Sequence, residues 1–269
     1  MTQHGTGQAE QAARRAAGSP KLEAAARAGY AVNGVMHLLI GVIALQVAWS
    51  SSAKKADQSG ALGTLASNGL GRAVLWLGVA GFAGLAIWQL TEAAFSSRGE
   101  DKDKIVEKVK SVSKAVVYAA LALTTLQFAR GGGSSSSGQS QDFTASVLKQ
   151  TGGRTLVVVI GLVVLGVGIY HVVKGYSKGF LKDLVANPGT VVERLGIAGY
   201  IAKGVALGVV GLLFVIAGLR RSAAEATGLD GALKTLRDQP FGTVLLSLVA
   251  LGLMAYGLYS FARARYAKL

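Results

Sequence analysis

Polar side chains that could do chemistry are few in this chain of 269 residues, and most stand near the ends of long apolar segments. Asn33 and His37 are four residues apart, which places them on one face of a helix. Lys114 with Tyr118, and then Lys203, occupy the matching places when the chain is aligned with itself. Charged groups inside apolar helices are costly, so they are functional candidates by default. The five residues are predicted to form a partly cationic axial site that favours an anion or an acidic headgroup.

A structural role is the alternative for the same lysines. Lys203 lies only about six residues into its apolar segment, or about 9 Å along a helix axis. Its ammonium group can therefore reach the membrane interface by snorkelling. Lys114 is nearer still to the end of its segment. In this interpretation both lysines make ordinary contacts between helices and bind no ligand.

A second set of ionisable residues comprises Glu92, Lys174 and Arg263, which share one position near the ends of three other apolar segments. A carboxylate and two cations at equivalent positions predict a structural ion-pair network. A role for Glu92 in proton coupling is the alternative, because a carboxylate near the end of a span can carry a proton.

Several kinds of chemistry are not expected. The chain has no cysteine, which excludes disulfides, thiolate metal sites and cysteine nucleophiles. His37 and His171 are too isolated for a metal site, and no second signal supports haem ligation by either of them. The Gly-x-Gly pairs at 69–71 and 166–168 lack the third glycine and the preceding strand of a phosphate-binding loop. We therefore expect no metal, no cofactor and no enzyme activity.

Composition places the chain in the membrane class. Hydrophobic residues make up 51% of it, charged residues only 16%, and the mean hydropathy is +0.43. The formal net charge of +14 would favour nucleic acid in a soluble protein. Here the basic residues stand at the ends of apolar segments, where they meet anionic headgroups. The bilayer and its anionic lipids are therefore the predicted partners, and nucleic acid is not.

Six apolar segments are long enough to be predicted spans. They are Val32–Trp49, Ala73–Phe95, Val112–Ala129, Thr155–Val173, Ile197–Leu219 and Val244–Tyr259. Residues 1–28 form a polar tail without a signal peptide, predicted to be disordered at its start and then to form short interfacial helices broken at Pro20. The Ser/Gly-rich segment 131–141 is predicted to be a flexible linker.

One short sequence unit recurs before the even-numbered spans. Ser59–Gly71 and Asp230–Gly242 are identical at six of thirteen positions, and Asp142–Gly153 is a fainter copy. Each copy is predicted to be a short helix in the headgroup region, with its first residue as the N-cap.

The recurrence extends to the spans, so that the chain consists of three tandem hairpins. Their boundaries are predicted at 29–97, 98–176 and 177–269. The equivalent positions are Tyr30/Ser111/Tyr200, Asn33/Lys114/Lys203, Trp88/Tyr170/Tyr259 and Glu92/Lys174/Arg263. Two spans return the chain to its starting side, so successive repeats run parallel and can close around a pseudo-threefold axis along the membrane normal. The predicted fold is therefore an all-α membrane protein of six transmembrane helices with a short interfacial helix in each repeat.

Glycines with helical spacing indicate where the spans approach closely. Gly78, Gly81 and Gly84 form one stripe, and Gly204 with Gly208 has GxxxG spacing.

Basic residues predict the orientation of the chain. Sixteen Lys and Arg residues lie on the side that carries both termini, and ten lie on the other side. The excess favours a bacterial plasma membrane protein with both termini in the cytoplasm.

The sequence resembles the domain-of-unknown-function 1206 family of actinobacterial membrane proteins. The resemblance rests on YAVNG at Tyr30–Gly34 and YIAKG at Tyr200–Gly204, on the two GAL-x-TL stretches at 60–65 and 231–236, and on YGLY at Tyr256–Tyr259. It implies a six-helix membrane protein of three two-helix repeats and brings no catalytic or ligand-binding residues. The middle copy departs from the pattern, because Ser111 and Ala115 replace its Tyr and Gly.

Two functional classes fit these features. An accessory or scaffold protein would use its glycine-rich helix faces and basic loops to bind another membrane protein or anionic lipid. A small-solute or anion transporter or channel would use the pseudo-threefold axis. The first class is preferred, because transport usually places more polar groups at the midplane than these spans carry.

Overall fold

The computed structural model describes residues 20–50, 55–95, 101–185 and 188–268. Within them the chain forms nine α-helices, two short 3₁₀ helices and no β-strand. The α-helices are α1 Pro20–Trp49, α2 Gln58–Ala66, α3 Gly69–Phe95, α4 Asp101–Ala129, α5 Ser136–Leu148, α6 Gly153–Tyr176, α7 Thr190–Arg220, α8 Gly228–Arg237 and α9 Gly242–Tyr266. The 3₁₀ helices are Gly179–Asp183 and Ala223–Glu225. The start of the polar tail, predicted to be disordered, lies outside the described residues.

Six of these helices are long and apolar enough to cross a membrane. The segments are Leu22–Trp49, Gly69–Ala94, Lys108–Ala129, Gly153–Tyr176, Thr190–Arg220 and Gly242–Tyr266. All exceed the roughly 20 residues that a bilayer core requires. The six predicted spans are confirmed, and the chain is an all-helical, multi-pass membrane protein.

The first span begins earlier than predicted. Pro20 is the first residue of α1, and the helix continues through Tyr30 without a break. A proline is tolerated in the first turn because its missing N–H would have no partner there in any case. The prediction of a separate interfacial helix after Pro20 was therefore wrong, since this segment is the start of the first spanning helix.

A short helix precedes the second span of every repeat, as predicted: α2, α5 and α8. The predicted caps were wrong. Asp57 rather than Ser59 caps α2, because its Oδ1 accepts a hydrogen bond from the Gly60 amide at 3.0 Å. Helix α8 starts before Asp230, with Thr227 at the cap position, and α5 starts at Ser136, well before Asp142.

The predicted flexible linker is in large part helical. Ser135 caps α5 through its side chain, which accepts from the Gly138 amide. On its inner face α5 buries Thr144 and Val147, and Val147 joins a core cluster with Val157 and Ala217. Ser and Gly are poor helix formers, so packing against neighbouring helices outweighs the local propensity here.

The chain divides into two compact units. Unit 1 contains Met1–Asn33, Leu65–Gly132 and Arg263–Leu269, and unit 2 contains Gly34–Thr64 and Gly133–Ala262. Unit 1 holds α3 and α4 with one end of α1 and of α9. Unit 2 holds the rest of α1 and α9, most of α2, and α5 to α8. The predicted pseudo-threefold arrangement of the repeats stays a prediction.

The helices of each unit approach closely at glycines. In unit 1, Gly81 of α3 faces Gly29 of α1, as the predicted stripe requires. In unit 2, a Cβ atom added to Gly204 of α7 would lie 2.6 Å from the carbonyl oxygen of Gly168 in α6. These contacts confirm that the glycines allow close helix packing. Within a bilayer, close packing drives helix association because lipid tails provide no hydrophobic driving force.

Candidate functional site

A group of aromatic and ionisable side chains in contact with one another lies in unit 2, and we call it the aromatic–cation cluster. Its members are His37, His171, Lys174, Phe180, Tyr200, Lys203, Tyr256 and Tyr259. Helices α1, α6, α7 and α9 and the first 3₁₀ helix contribute to it.

The centre of the cluster is a set of buried rings. Tyr259 and Phe180 are 0% exposed, and Tyr200 is only 3% exposed. The ring of Tyr200 stacks on Phe180 at 5.2 Å between centroids and meets the edges of Tyr256 and Tyr259 at 5.3 and 5.6 Å. The Tyr259 hydroxyl donates to the carbonyl oxygen of Phe180 at 3.4 Å. These geometries are those that aromatic quadrupoles favour, so the rings hold one another in place.

Glycines next to the rings make this packing possible. A Cβ atom at Gly199 would lie 2.5 Å from the Cα atom of Tyr256, and one at Gly196 would lie 2.6 Å from Cζ of Phe180. A side chain at either position would push the rings apart, so the glycines of α7 determine where the aromatic residues can lie.

Lys203 reaches the cluster from within α7. Its Nζ lies 4.3 Å from the centroid of the Tyr256 ring and donates to the Tyr256 hydroxyl at 3.3 Å. Among the described residues, no carboxylate is within ion-pair distance of this ammonium group. Lys203 is therefore stabilised by a ring and a hydroxyl, and no carboxylate in the described part of the chain balances its positive charge.

His37 contacts the same tyrosine. The centroids of the His37 and Tyr256 rings are 4.7 Å apart. The structure thus brings together two residues of the predicted axial site, His37 and Lys203, at Tyr256. Tyr256 was not among the residues predicted for the site, and the one signal in the sequence that could have selected it is its place in the YGLY stretch at Tyr256–Tyr259.

Lys174 and His171 of α6 also contact Tyr200. Lys174 Nζ is 5.6 Å from the centroid of Tyr200 and forms an ion pair with Asp183 at 2.7 Å. The His171 ring stacks on Tyr200 at 5.8 Å, and its Nδ1 donates to the carbonyl oxygen of Val167. Asp183 was missed by sequence analysis, because nothing in a loop sequence predicts the 3₁₀ turn that brings it back to Lys174.

The remaining predicted site residues lie in unit 1. Asn33 and Tyr118 are half-buried, and Lys114 and Glu92 are exposed. Arg263 donates to the Tyr30 hydroxyl at 3.3 Å, and its guanidinium carbon lies 4.4 Å from the centroid of that ring.

The predicted axial site and the predicted ion-pair network both stay predictions, because neither set of residues is tested as a whole. In the proposed network of Glu92, Lys174 and Arg263, the observed partners are Asp183 for Lys174 and Tyr30 for Arg263. Of the predicted axial site, His37 and Lys203 both contact Tyr256. The part of the chain that the structure describes contains no group of three or more His, Asp or Glu residues that could hold a metal ion.

The fold and this cluster define a class: a six-helix membrane protein built from a repeated two-helix hairpin. A family model described as Domain of Unknown Function (DUF1206) matches the chain three times, at residues 28–96, 109–178 and 198–267. The chain belongs to this family. The three matches begin 81 and 89 residues apart, the same offsets that separate Tyr30, Ser111 and Tyr200.

A relative extends over almost the whole chain. The "Uncharacterized protein YxxB" of Bacillus subtilis (strain 168) is 28% identical over 254 residues, which are 92% of this chain and 92% of that protein. No solved structure matches the chain.

Proposed function

We propose that this protein is an accessory or scaffold protein of the membrane that binds the headgroup of an anionic lipid at the aromatic–cation cluster. The observation that carries the proposal is the ammonium group of Lys203, which lies in a spanning helix against Tyr256 with no carboxylate partner among the described residues. A charge in that position is costly unless an anion accompanies it.

The charges around the cluster favour an anion. Between residues 174 and 203 the chain carries five basic and two acidic residues. Both acids are already paired, Asp183 with Lys174 and Glu193 with Lys178 at 2.6 Å. The three other cations have no carboxylate within ion-pair distance among the described residues; they are Lys182, Arg194 and Lys203.

The position of these cations along the helices favours a lipid over a soluble anion. Lys174 is in the last turn of α6, and Arg194 is near the start of α7, so both are at the same end of one helical hairpin. Tyrosine rings beside cations at the end of a spanning helix are typical of the headgroup region. Each basic residue close to an anionic surface contributes about 1 kcal/mol of attraction.

The packing around Lys203 favours binding over permeation. Tyr256 is only 4% exposed, and its ring lies directly beside the lysine. A transport path would need polar or hydrated surroundings there. The transporter alternative therefore has less support from this site than the binding role.

The test compares lipids that the full-length protein retains in nanodiscs. In mixed phosphatidylcholine and phosphatidylglycerol discs, native mass spectrometry is expected to show preferential retention of phosphatidylglycerol. Lys203→Gln should weaken this retention about fivefold, the loss that corresponds to one lysine contact. Lys149→Gln, at an exposed lysine outside the cluster, is the matched control and should change nothing.

Equal retention of the two lipids by the wild-type protein would contradict the proposal. Anion flux into proteoliposomes that Lys203→Gln abolishes would contradict it as well, and would favour the transporter.

A further inference from the structure

The first and third repeats are joined within each unit by hydrogen bonds near helix ends. In unit 1, Arg27 Nη1 donates to the carbonyl oxygens of Ala264 and Arg265, at 2.9 and 2.5 Å. In unit 2, the amide of Ala56 donates to Oδ1 of Asp230 at 2.9 Å, and this bond is buried. The second link holds the start of α2 against the first turn of α8.

Asp57, the residue after Ala56, carries a buried carboxylate that the fold satisfies on one side only. The residue is 1% exposed. Its Oδ1 accepts hydrogen bonds from the Ser59 hydroxyl at 2.6 Å and from the Gly60 amide at 3.0 Å. Its Oδ2 is closed to solvent and has no hydrogen-bond partner among the described residues. One side-chain oxygen is enough to cap a helix, so the cap of α2 does not account for Oδ2.

The charges near Asp57 leave one negative charge in excess. Asp230 is 6% exposed, and its Oδ2 already pairs with Lys234 at 2.8 Å. No basic side chain of the described residues is within ion-pair distance of Asp57, and Lys55 beside it in sequence is exposed. The amides at the start of α2 offset part of the charge, but the Gly60 amide acts at Oδ1. Buried charges in proteins are paired or coordinate metal ions, so Oδ2 of Asp57 calls for a positive partner.

Other oxygen atoms of the same turn can serve as ligands. The carbonyl oxygen of Lys55 lies against the turn, since a Cβ atom added to Gly60 would lie 1.9 Å from it. No backbone amide of the described residues donates to this carbonyl. The buried Ser59 hydroxyl gives its proton to Asp57, which leaves the lone pairs of its oxygen available. Carboxylate, carbonyl and hydroxyl oxygens are the ligands that hard cations prefer over transition metals.

From these contacts we infer that Asp57 binds a small monovalent cation such as Na⁺, with the Lys55 carbonyl and the Ser59 hydroxyl as the accompanying oxygens. One positive charge balances the one negative charge in excess, whereas a divalent ion would leave a buried positive charge. The closed position of Oδ2 excludes a bulky cation such as a lipid ammonium headgroup. Because Ala56 is bonded to Asp230, the bound ion stabilises the start of α2 on α8. The inference is independent of the lipid proposed for the aromatic–cation cluster.

The test follows the stability of the full-length protein in detergent as Na⁺ replaces choline at constant ionic strength. A ligand that binds only the folded state raises the midpoint of thermal unfolding. The wild-type midpoint, measured by circular dichroism, should therefore rise with the concentration of Na⁺. Asp57→Asn should abolish this rise and keep the cap of α2, because asparagine caps helices as well as aspartate does. Asp142→Asn, at an exposed aspartate of α5, is the matched control and should keep the full response.

A scintillation proximity assay with radioactive Na⁺ measures the binding directly. The ion should bind the wild-type chain and bind Asp57→Asn at least about tenfold more weakly, because ligand charge sets the affinity of oxygen-donor sites. Where Asp57→Asn fails to fold, Asp57→Ser retains a capping oxygen without the charge and carries the same expectation.

Three results would overturn the inference. The first is a wild-type midpoint that is the same in Na⁺ and in choline. The second is an equal response to Na⁺ in the wild type and in Asp57→Asn. The third is stabilisation by Ca²⁺ without any by Na⁺, which would assign a divalent ion to Asp57. None of these results bears on the retention of anionic lipid at Lys203, so the proposed function stands or falls separately.

Discussion

Lys174 and Lys203 contact the same group of rings, but they differ in how their charge is balanced. Lys174 has Asp183 at 2.7 Å, and its side chain is 17% exposed. Lys203 has the ring and hydroxyl of Tyr256. The first lysine is therefore suited to a structural role and the second to binding, although their sequence contexts are alike.

Removal of the charge of Asp183 should destabilise the protein. Asp183→Asn leaves the ammonium group of Lys174 without its carboxylate in a partly buried place, at a cost of about 1 kcal/mol. We expect a lower midpoint of thermal unfolding, measured by circular dichroism in detergent.

Glu225→Gln is the matched control for that experiment. It breaks the pair between Arg220 and Glu225, in which the arginine is 69% exposed. This change should leave the midpoint unaffected. If the midpoint of thermal unfolding fell equally in both variants, burial of the Lys174–Asp183 pair would not be the cause of its contribution to stability.

Some residues of the aromatic–cation cluster could be predicted from the sequence and others could not. Lys203 and His37 could be selected, because a charged or ionisable group stands out in an apolar helix. Tyr256 could not be selected, because a tyrosine near a span end normally anchors a helix at the interface. Asp183 could not be paired with Lys174, because that contact depends on the shape of a loop.

At the scale of helices, glycine positions determine the contacts within each unit. A Cβ atom at Gly168 would lie 2.7 Å from the backbone nitrogen of Gly208 and 2.8 Å from the carbonyl oxygen of Gly204. Two backbones meet there, so neither side can move aside without displacing a helix. Gly166 is in the same helix, and nothing lies within 4 Å of a Cβ atom added to it.

These two glycines should respond differently to one added methyl group. Gly168→Ala forces α6 and α7 apart and should cost about 1–3 kcal/mol, as overpacking does. Gly166→Ala should leave stability unchanged or slightly higher, since alanine is the better helix former. Thermal unfolding followed by circular dichroism in the same detergent measures both. Similar losses in the two variants would contradict the close approach of α6 and α7.

The sequence predicts which helices exist better than it predicts the residues at which they begin and end. The six spans follow from length and apolarity, and the three short helices follow from the repeated sequence unit. The extent of α5 could not be predicted, because Ser and Gly indicate a linker and only the burial of Val147 and its neighbours explains a helix there. The cap of α2 was misplaced because Ser59 and Asp57 are both good capping residues, and only the hydrogen bond to Gly60 distinguishes them.

At the scale of the whole molecule, the chain is a multi-pass membrane protein whose orientation is still a prediction. The bias of basic residues places the loop that carries Lys182 in the cytoplasm and the segment that carries Lys149 on the opposite side. Both lysines are exposed. They are therefore suitable positions for labelling.

The absence of cysteine from the sequence makes the orientation easy to test. Lys149→Cys should react with a membrane-impermeant maleimide in intact cells, and Lys182→Cys should react only after the membrane is permeabilised. The reverse pattern would show that the termini are outside the cytoplasm. Reaction of both variants in intact cells would contradict an odd number of spans between the two positions.

The hydrogen bonds from Arg27 to the carbonyl oxygens of Ala264 and Arg265 have a consequence for the order of the repeats. They hold the beginning of the first spanning helix beside the end of the last one. A peptide linker could therefore join these two helices, and new chain ends could be made in the loop between the first and second repeats. Such a circular permutant should insert and fold, because each hairpin would keep its neighbours although its place in the gene had changed.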